Sequence, residues 1–313
     1  MKILSMSGFI PEQVCDTIRF TQYSGDRNIA HYCGYASDFI SKVLQDESID
    51  GAVYPKSCDS TRIMSSYLSE SGKFLHQIGI ASYDSAGSME YYANEIKRYK
   101  EAVEVHYGIT IDDMAERAEL VNNRNASIRE TYENLASISF SQYLRTIHDM
   151  LELPLRNQRW DFQGDRDNSS GKRVFLTGSF LSNLSIVDVI ENSGLTIVGD
   201  SLPESGRLVS CKPVDTSVDI YKEIAQSILS ARLSPTQNAF KRIIADDFDE
   251  ISKKDARAII FLTQKYCEPY DYLYSIYKSE ADKRKIPIIQ LAMNNTQDDG
   301  KASLLIEAFA DMI

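Results

Sequence analysis

Cys58 and Cys267 sit in one repeated design. Each follows a short apolar run, Gly51–Tyr54 in the first case and Ala258–Leu262 in the second, through a brief polar loop. Each has an acid beside it, Asp59 or Glu268, and each opens a helical pattern. In α/β folds, ligands collect just past the carboxyl ends of parallel strands. Thiolates at such a rim suit soft-metal chemistry, zinc or iron–sulfur. Two cysteines delivered there from two halves of a chain could converge on one metal centre. The competing reading is that each is a small buried hydrophobe, the commonest role of a free cysteine. The adjoining acids and loop positions weigh against it. Cys33, in His31-Tyr32-Cys33-Gly34-Tyr35 just before a helical pattern, is the best third candidate. Gly34 beside it allows close backbone approach. Cys15 falls at an apolar-periodic position with Ile18 and reads as core, and Cys211 carries no assignment. Spacing alone leaves both a shared centre and separate structural cysteines open.

Other chemistry is sparse. There is no C-x-x-C pair among the five cysteines, so neither a zinc ribbon nor a thioredoxin-type motif is indicated. The odd number and wide spacing also argue against a disulfide framework. His31, His76, His106 and His148 show no metal-ligand spacing, although His31 could hydrogen-bond near a centre at Cys33. No P-loop is present, so ATP use would belong to a partner. Thr177-Gly178-Ser179 could offer amides to a phosphate, but a single glycine favours an ordinary βα turn. The net charge of -11 argues against general binding to nucleic acid or anionic membrane. Met1–Gly8 is too short and polar for a signal peptide, and no run approaches the roughly 18 apolar residues of a membrane span. A cytoplasmic location is expected.

The elements that must hold these residues alternate. Strands are expected at Lys2–Met6, Gly51–Tyr54 and His76–Ala81. Helices are expected from Pro11 to about Phe20, Tyr35 to Leu44, Ser60 to Leu68 and Ser88 to Tyr107. Ile111–Leu153 has no Pro or Gly, and Val121, Ile128, Tyr132, Leu135 and Ile138 recur at helical spacing, which suits one or two packing helices. Pro154–Lys172, polar and glycine-containing, reads as a linker. Beyond it, strands are expected at Arg173–Leu176, Leu195–Val198, Arg257–Leu262 and Ile286–Leu291, separated by helices. Alternation of this kind implies parallel sheets built from βαβ units. The predicted division is 1–158, an N-terminal α/β domain with a helical extension, and 159–313, a C-terminal α/β domain.

Several segments, in order, carry a family likeness. They are Gly8–Glu12, then Cys33 with its helix, then Asp50-Gly51-Ala52-Val53-Tyr54-Pro55 leading to Cys58-Asp59-Ser60-Thr61-Arg62. In the second half they are Arg173–Ser179, Ile190–Asp200, Lys265-Tyr266-Cys267-Glu268-Pro269, Ile286-Pro287 and Ile306–Phe309. On these the chain resembles the 2-hydroxyacyl-CoA dehydratase and benzoyl-CoA reductase subunit family over nearly its whole length.

The resemblance implies two Rossmann/flavodoxin-like domains with a [4Fe–4S] cluster in the cleft between them. It implies Cys33, Cys58 and Cys267 as the cluster's ligands, with one iron left open. It further implies a paired family subunit, an ATP-hydrolysing iron–sulfur activator that injects one electron, and an acyl-CoA-type substrate. Dehydratases of this kind form a ketyl radical that expels the neighbouring hydroxide. A reductase-type subunit, or a cluster-bearing partner without turnover of its own, is the alternative. The chain departs from the pattern in places. Where members often carry an acid two residues after Pro11, this chain has Gln13, with Glu12 one residue earlier. Glu12 is therefore the candidate acid or base, against the reading that it is a first-turn Glu favoured by the helix dipole. Leu202-Pro203-Glu204 and Ser234-Pro235 lack cysteines that some relatives show, which points to a single cluster rather than a double cubane.

Overall fold

A computed structural model of the chain describes residues 1–6, 8–21, 32–80, 87–135, 138–160, 162, 171–181, 183–293 and 299–313. His31 and residues 161 and 163–170 of the expected linker lie outside the described residues.

Two four-stranded sheets form, each wholly parallel. The first contains β1 (Ile3–Ser5), β2 (Thr17–Arg19), β3 (Gly51–Lys56) and β4 (Phe74–Gly79), in the order β2-β1-β3-β4. The second contains β5 (Lys172–Gly178), β6 (Leu195–Asp200), β7 (Ala258–Gln264) and β8 (Ile288–Met293), in the order β6-β5-β7-β8. The two orders are the same, that of a flavodoxin-like doubly wound sheet, and each places a switch point between its first and third strands. The strands carry apolar side chains on both faces because both faces are covered. In the first sheet Ile3 and Val53 face α3 (Ser88–Tyr107), and Leu4, Ala52 and Tyr54 face α1 (Gly34–Gln45) and α2 (Asp59–Leu68). In the second, Val174, Leu176, Ile260 and Leu262 form one core, and Phe175, Ile259 and Phe261 the other.

The helical stretch after α3 resolves into α4 (Met114–Glu133) and α5 (Phe140–Leu151). Met114 and Ala118, early in α4, pack in the first sheet's core, whereas Ile128 and Tyr132, late in it, pack in the second's. All of α5's apolar face joins the second core. In the second half the helices are α6 (Ser185–Asn192), the four-residue α7 (Gly206–Val209), α8 (Ile220–Ser230), α9 (Phe240–Lys253), α10 (Glu268–Arg284) and α11 (Asp299–Met312). Ile224, Ala225 and Ile228 of α8 cross back to the first core. Among the described residues no helix is long and apolar enough to cross a membrane.

One expectation fails. Residues 11–20 are not a helix but turns followed by β2, whose Thr17, Ile18 and Arg19 pair with Ile3, Leu4 and Ser5. Pro11 is compatible with a turn as well as a helix start, and pairing with β1 decides the matter. Cys15 is core as expected, 1% exposed, but it lies in the bend between that turn and β2.

Candidate functional site

Each of Cys33, Cys58 and Cys267 is the N-cap residue of a helix: of α1, α2 and α10 respectively. The loop after β3 is fixed by Thr61, whose hydroxyl accepts the Ser57 and Cys58 amides, both at 3.1 Å, and lies 3.7 Å from the Cys58 thiol. The loop after β7 turns through Tyr266, which adopts a left-handed φ of 64°. That conformation is costly for a residue with a side chain and concentrates at functional sites. The Cys267 carbonyl then accepts the Tyr270 and Asp271 amides, both at 3.1 Å, starting α10. Cys58 and Cys267 thus hold corresponding places, each just past the third strand of its sheet.

The three thiols line one cavity of about 80 Å³, with Met6, Phe9 and Phe180 among its apolar walls. The Tyr35 and Phe180 rings, one from each half, stack across it at 4.2 Å. The same three cysteines border a wider cleft of about 440 Å³, within the size range of small-molecule sites. Asp59 and Glu268 are exposed and border that wider cleft, and Asp59 lies 3.9 Å from Arg62. The thiols differ in acidity. A hydrogen bond from Cys267 lowers the pKa of Cys33, helped by the α1 amides of Ala36 and Tyr35. The same bond, then burial, raises that of Cys267. Burial raises Cys58. Three helix N-termini directed at one cavity favour anionic occupants. Among the described residues no three His, Cys, Asp or Glu side chains close into a single-ion site. An all-thiol set arranged around a cavity suits a multi-iron cluster in its donor chemistry.

Glu12 is not brought into that cavity. It is buried, and its carboxylate pairs with Arg19 and with Arg124 at 2.6 Å. Burial opposes ionisation, but Arg124 and Arg19 outweigh it and hold the pKa at about 2. A group so held has no proton to give at neutral pH. Thr177-Gly178-Ser179 is the end of β5 and the residue after it, with a packing duty. The Ser179 amide is taken by the Leu262 carbonyl at 2.8 Å, and the serine side chain accepts the Gln264 amide at 2.9 Å.

A buried polar group gathers at the carboxyl end of β6. Asp200, fully buried, accepts the amides of Leu202 and Gly206 and the Ser205 hydroxyl at 2.8, 2.9 and 2.8 Å, and burial pushes its pKa up to about 6. Burial pushes Glu204 up to about 8. Arg207 borders the cysteine cavity. The available signal was a run of charged residues around a glycine directly past a strand's carboxyl end. Gly206 is required there, because a Cβ would lie 2.0 Å from the Asp200 carbonyl oxygen.

Residues 3–313 match the family described as 2-hydroxyglutaryl-CoA dehydratase, D-component. The (R)-phenyllactyl-CoA dehydratase beta subunit of Clostridium sporogenes is 25% identical over 150 residues, 46% of this chain. That match spans 38% of the beta subunit's own length. Among solved structures, the SsGBP–GDP complex aligns over 99% of this chain and 97% of its own at 11% identity, with a TM-score of 0.23, too low to bear on the fold.

Proposed function

The chain belongs to the 2-hydroxyglutaryl-CoA dehydratase D-component family, and on that premise we propose that it is the iron–sulfur subunit of a 2-hydroxyacyl-CoA dehydratase-like enzyme. In this reading Cys33, Cys58 and Cys267 hold a [4Fe–4S] cluster. The observation that carries it is the convergence of three N-cap thiols, from both sheets, on one cavity. When bound, such a cluster supplies one-electron chemistry with an iron that no thiolate of this chain ligates. The three helix N-termini stabilise the thiolates and the negative charge that gathers there. Met6, Phe9 and Phe180 keep water from the inner side, and the wider cleft gives access from outside. The substrate is an acyl-CoA, in keeping with the family and the phenyllactyl-CoA relative. A second subunit of the same family and an ATP-hydrolysing iron–sulfur activator complete the enzyme. The beta-subunit relative supports the second subunit.

A second reading is a cluster-bearing partner that does no acid–base chemistry itself. The clamped state of Glu12 favours it. The deciding experiment measures iron and acid-labile sulfide on protein purified without oxygen. About four of each per chain, with a broad band near 400 nm, are expected for a [4Fe–4S] centre on cysteines. Absence of iron after anaerobic reconstitution, or full iron in Cys58→Ala, would overturn the assignment. Activator-dependent dehydration by this chain with a paired subunit then separates the two readings.

A further inference from the structure

Two buried arginines, one from each half of the chain, border a common recess with donors that nothing takes up. Arg19 stands on β2 and is 5% exposed, and Arg207 stands on α7 and is 8% exposed. Arg19 pairs with Glu12 through Nη2, and its Nε and Nη1 are buried without a partner. Arg207 donates from Nη2 to the Leu233 carbonyl at 2.9 Å, and its Nε is buried without a partner. The recess measures about 20 Å³ and adjoins the cysteine cavity at Phe9 and Phe180. Gly8 at its edge shows where Arg19 points, since a Cβ there would lie 4.0 Å from Nη1. The Arg207 guanidinium lies 5.9 Å from the centre of the Phe9 ring. Three unsatisfied guanidinium nitrogens in a dry wall are costly, and an anion is the partner that removes the cost.

The charge around the recess lacks that partner. Burial raises the pKa of Cys211 in its wall, Arg19, Arg124 and Arg207 act to lower it, and Glu12 acts with burial. Glu12 is already shared between Arg19 and Arg124. Arg207 pairs with no carboxylate, and none borders the recess, among the described residues. The remaining walls include Phe9, Phe180, Leu208 and Ile228, which offer nothing to a strongly hydrated ion. Stripping water from an ion costs more steeply as its charge rises, so such walls favour a monovalent anion over sulfate or phosphate. The free space is room for roughly one or two waters, hence for a single small ion.

We propose that this recess binds a single halide ion, chloride, held by Arg19 Nε and Nη1 and by Arg207 Nε, and that the ion joins the two halves of the chain. Its binding depends on neither the cluster nor the acyl-CoA reading, since no substrate group takes part. The ion completes a bridge that runs from Arg124 on α4 through Glu12 and Arg19 to Arg207 on α7. Arg207 also stands 3.5 Å from the Tyr270 hydroxyl on α10, the helix that Cys267 caps. The bridge therefore backs one wall of the cysteine cavity, which Arg207 and Tyr270 both line.

The test is the melting temperature of the full chain, purified without oxygen into sodium gluconate, as chloride, bromide or sulfate replaces gluconate at constant ionic strength. Chloride and bromide are expected to raise it along a saturating curve, as a ligand of the folded state does. Sulfate is expected to give only the gradual, unsaturating rise of an excluded salt. Arg207→Gln is expected to weaken chloride at least about tenfold, the lower end of what one charge-assisted hydrogen bond contributes. Ala231→Leu fills the recess while keeping both arginines, and is expected to abolish the halide response even where Arg207→Gln does not fold. A wild type whose melting temperature stays level as chloride replaces gluconate overturns the site without any variant. Saturation by sulfate and not by halide also overturns it, and assigns the recess to a divalent oxyanion. A saturating halide response unchanged in Ala231→Leu places the ion elsewhere and overturns the assignment.

Discussion

Replacing Glu12 by Gln should damage stability before it damages anything else. The carboxylate is 5% exposed and paired with Arg19 and Arg124, and Arg124 also donates to Gln158 at 2.8 Å. Its pKa falls from 4.5 to about 2 on folding. At 1.36 kcal/mol for each pH unit, that depression corresponds to about 3 kcal/mol of folding stability. The sign follows from the direction. A depressed acid contributes fully above its unfolded value of 4.5, and the contribution drains away as pH falls toward 2. Glu12→Gln removes the charge and leaves two buried guanidinium groups facing an amide, for which a loss of about 3 to 5 kcal/mol at pH 7 is expected. The assay is urea unfolding of wild type and variant at pH 7, 5 and 3. At pH 7 the variant's midpoint should be lower by roughly 1 to 2 M. Between pH 5 and 3 the gap should narrow by about 2 kcal/mol, because only the wild type has a carboxylate to lose. A variant as stable as wild type at pH 7, or a gap that does not move with pH, would refute the ion-pair account. Lost turnover with unchanged stability would return Glu12 to acid–base work.

The opposite pH dependence is expected at Glu204. Burial raises its pKa from 4.5 to about 8, so its contribution is present below 4.5 and lost as pH climbs through 8. Glu204→Gln should therefore gain on wild type by several kcal/mol between pH 5 and 8 in urea unfolding; a constant difference would show the acid to be ionised in the fold. Gly178→Ala places a Cβ 1.8 Å from the Leu262 carbonyl oxygen at a φ of 137°, and should abolish soluble expression. A well-folded Gly178→Ala by circular dichroism would contradict the close packing of β5 on β7. Cys15→Ala removes a thiol 3.2 Å from the Tyr99 hydroxyl, held protonated by burial with a pKa of about 11. It should cost about 1 kcal/mol and leave iron content unchanged, and a drop in iron would place Cys15 at the centre.

What the sequence disclosed was mostly what is local. The helix expected at Ser88–Tyr107 is α3 with the same ends, and Cys58 and Cys267 stand where a strand, a polar loop and a helical pattern put them. Those features are written in consecutive residues. β2 was not legible because three residues, Thr17-Ile18-Arg19, carry too little alternation, and their strand character comes from pairing with β1. Glu12 reads locally as a helix-start acid; its real partner Arg124 arrives from α4, far along the chain. Arg207 was equally hidden, since its place at the cysteine cavity depends on contacts with Leu233 and Tyr270, both distant in sequence.

The exchange of helices between the cores has a consequence for motion. α4, roughly 30 Å long at 1.5 Å per residue, begins in one core and ends in the other, while α8 returns from the second half to the first. Neither sheet can melt without stripping packing from its neighbour. The halves should therefore unfold as one cooperative unit, with a single calorimetric transition, even though each carries its own sheet. Wide hinge opening is equally disfavoured, since it would have to bend or undock α4. Traffic to the cysteines must then rely on loop and side-chain movement at the mouth of the cleft, on a faster timescale than domain swinging.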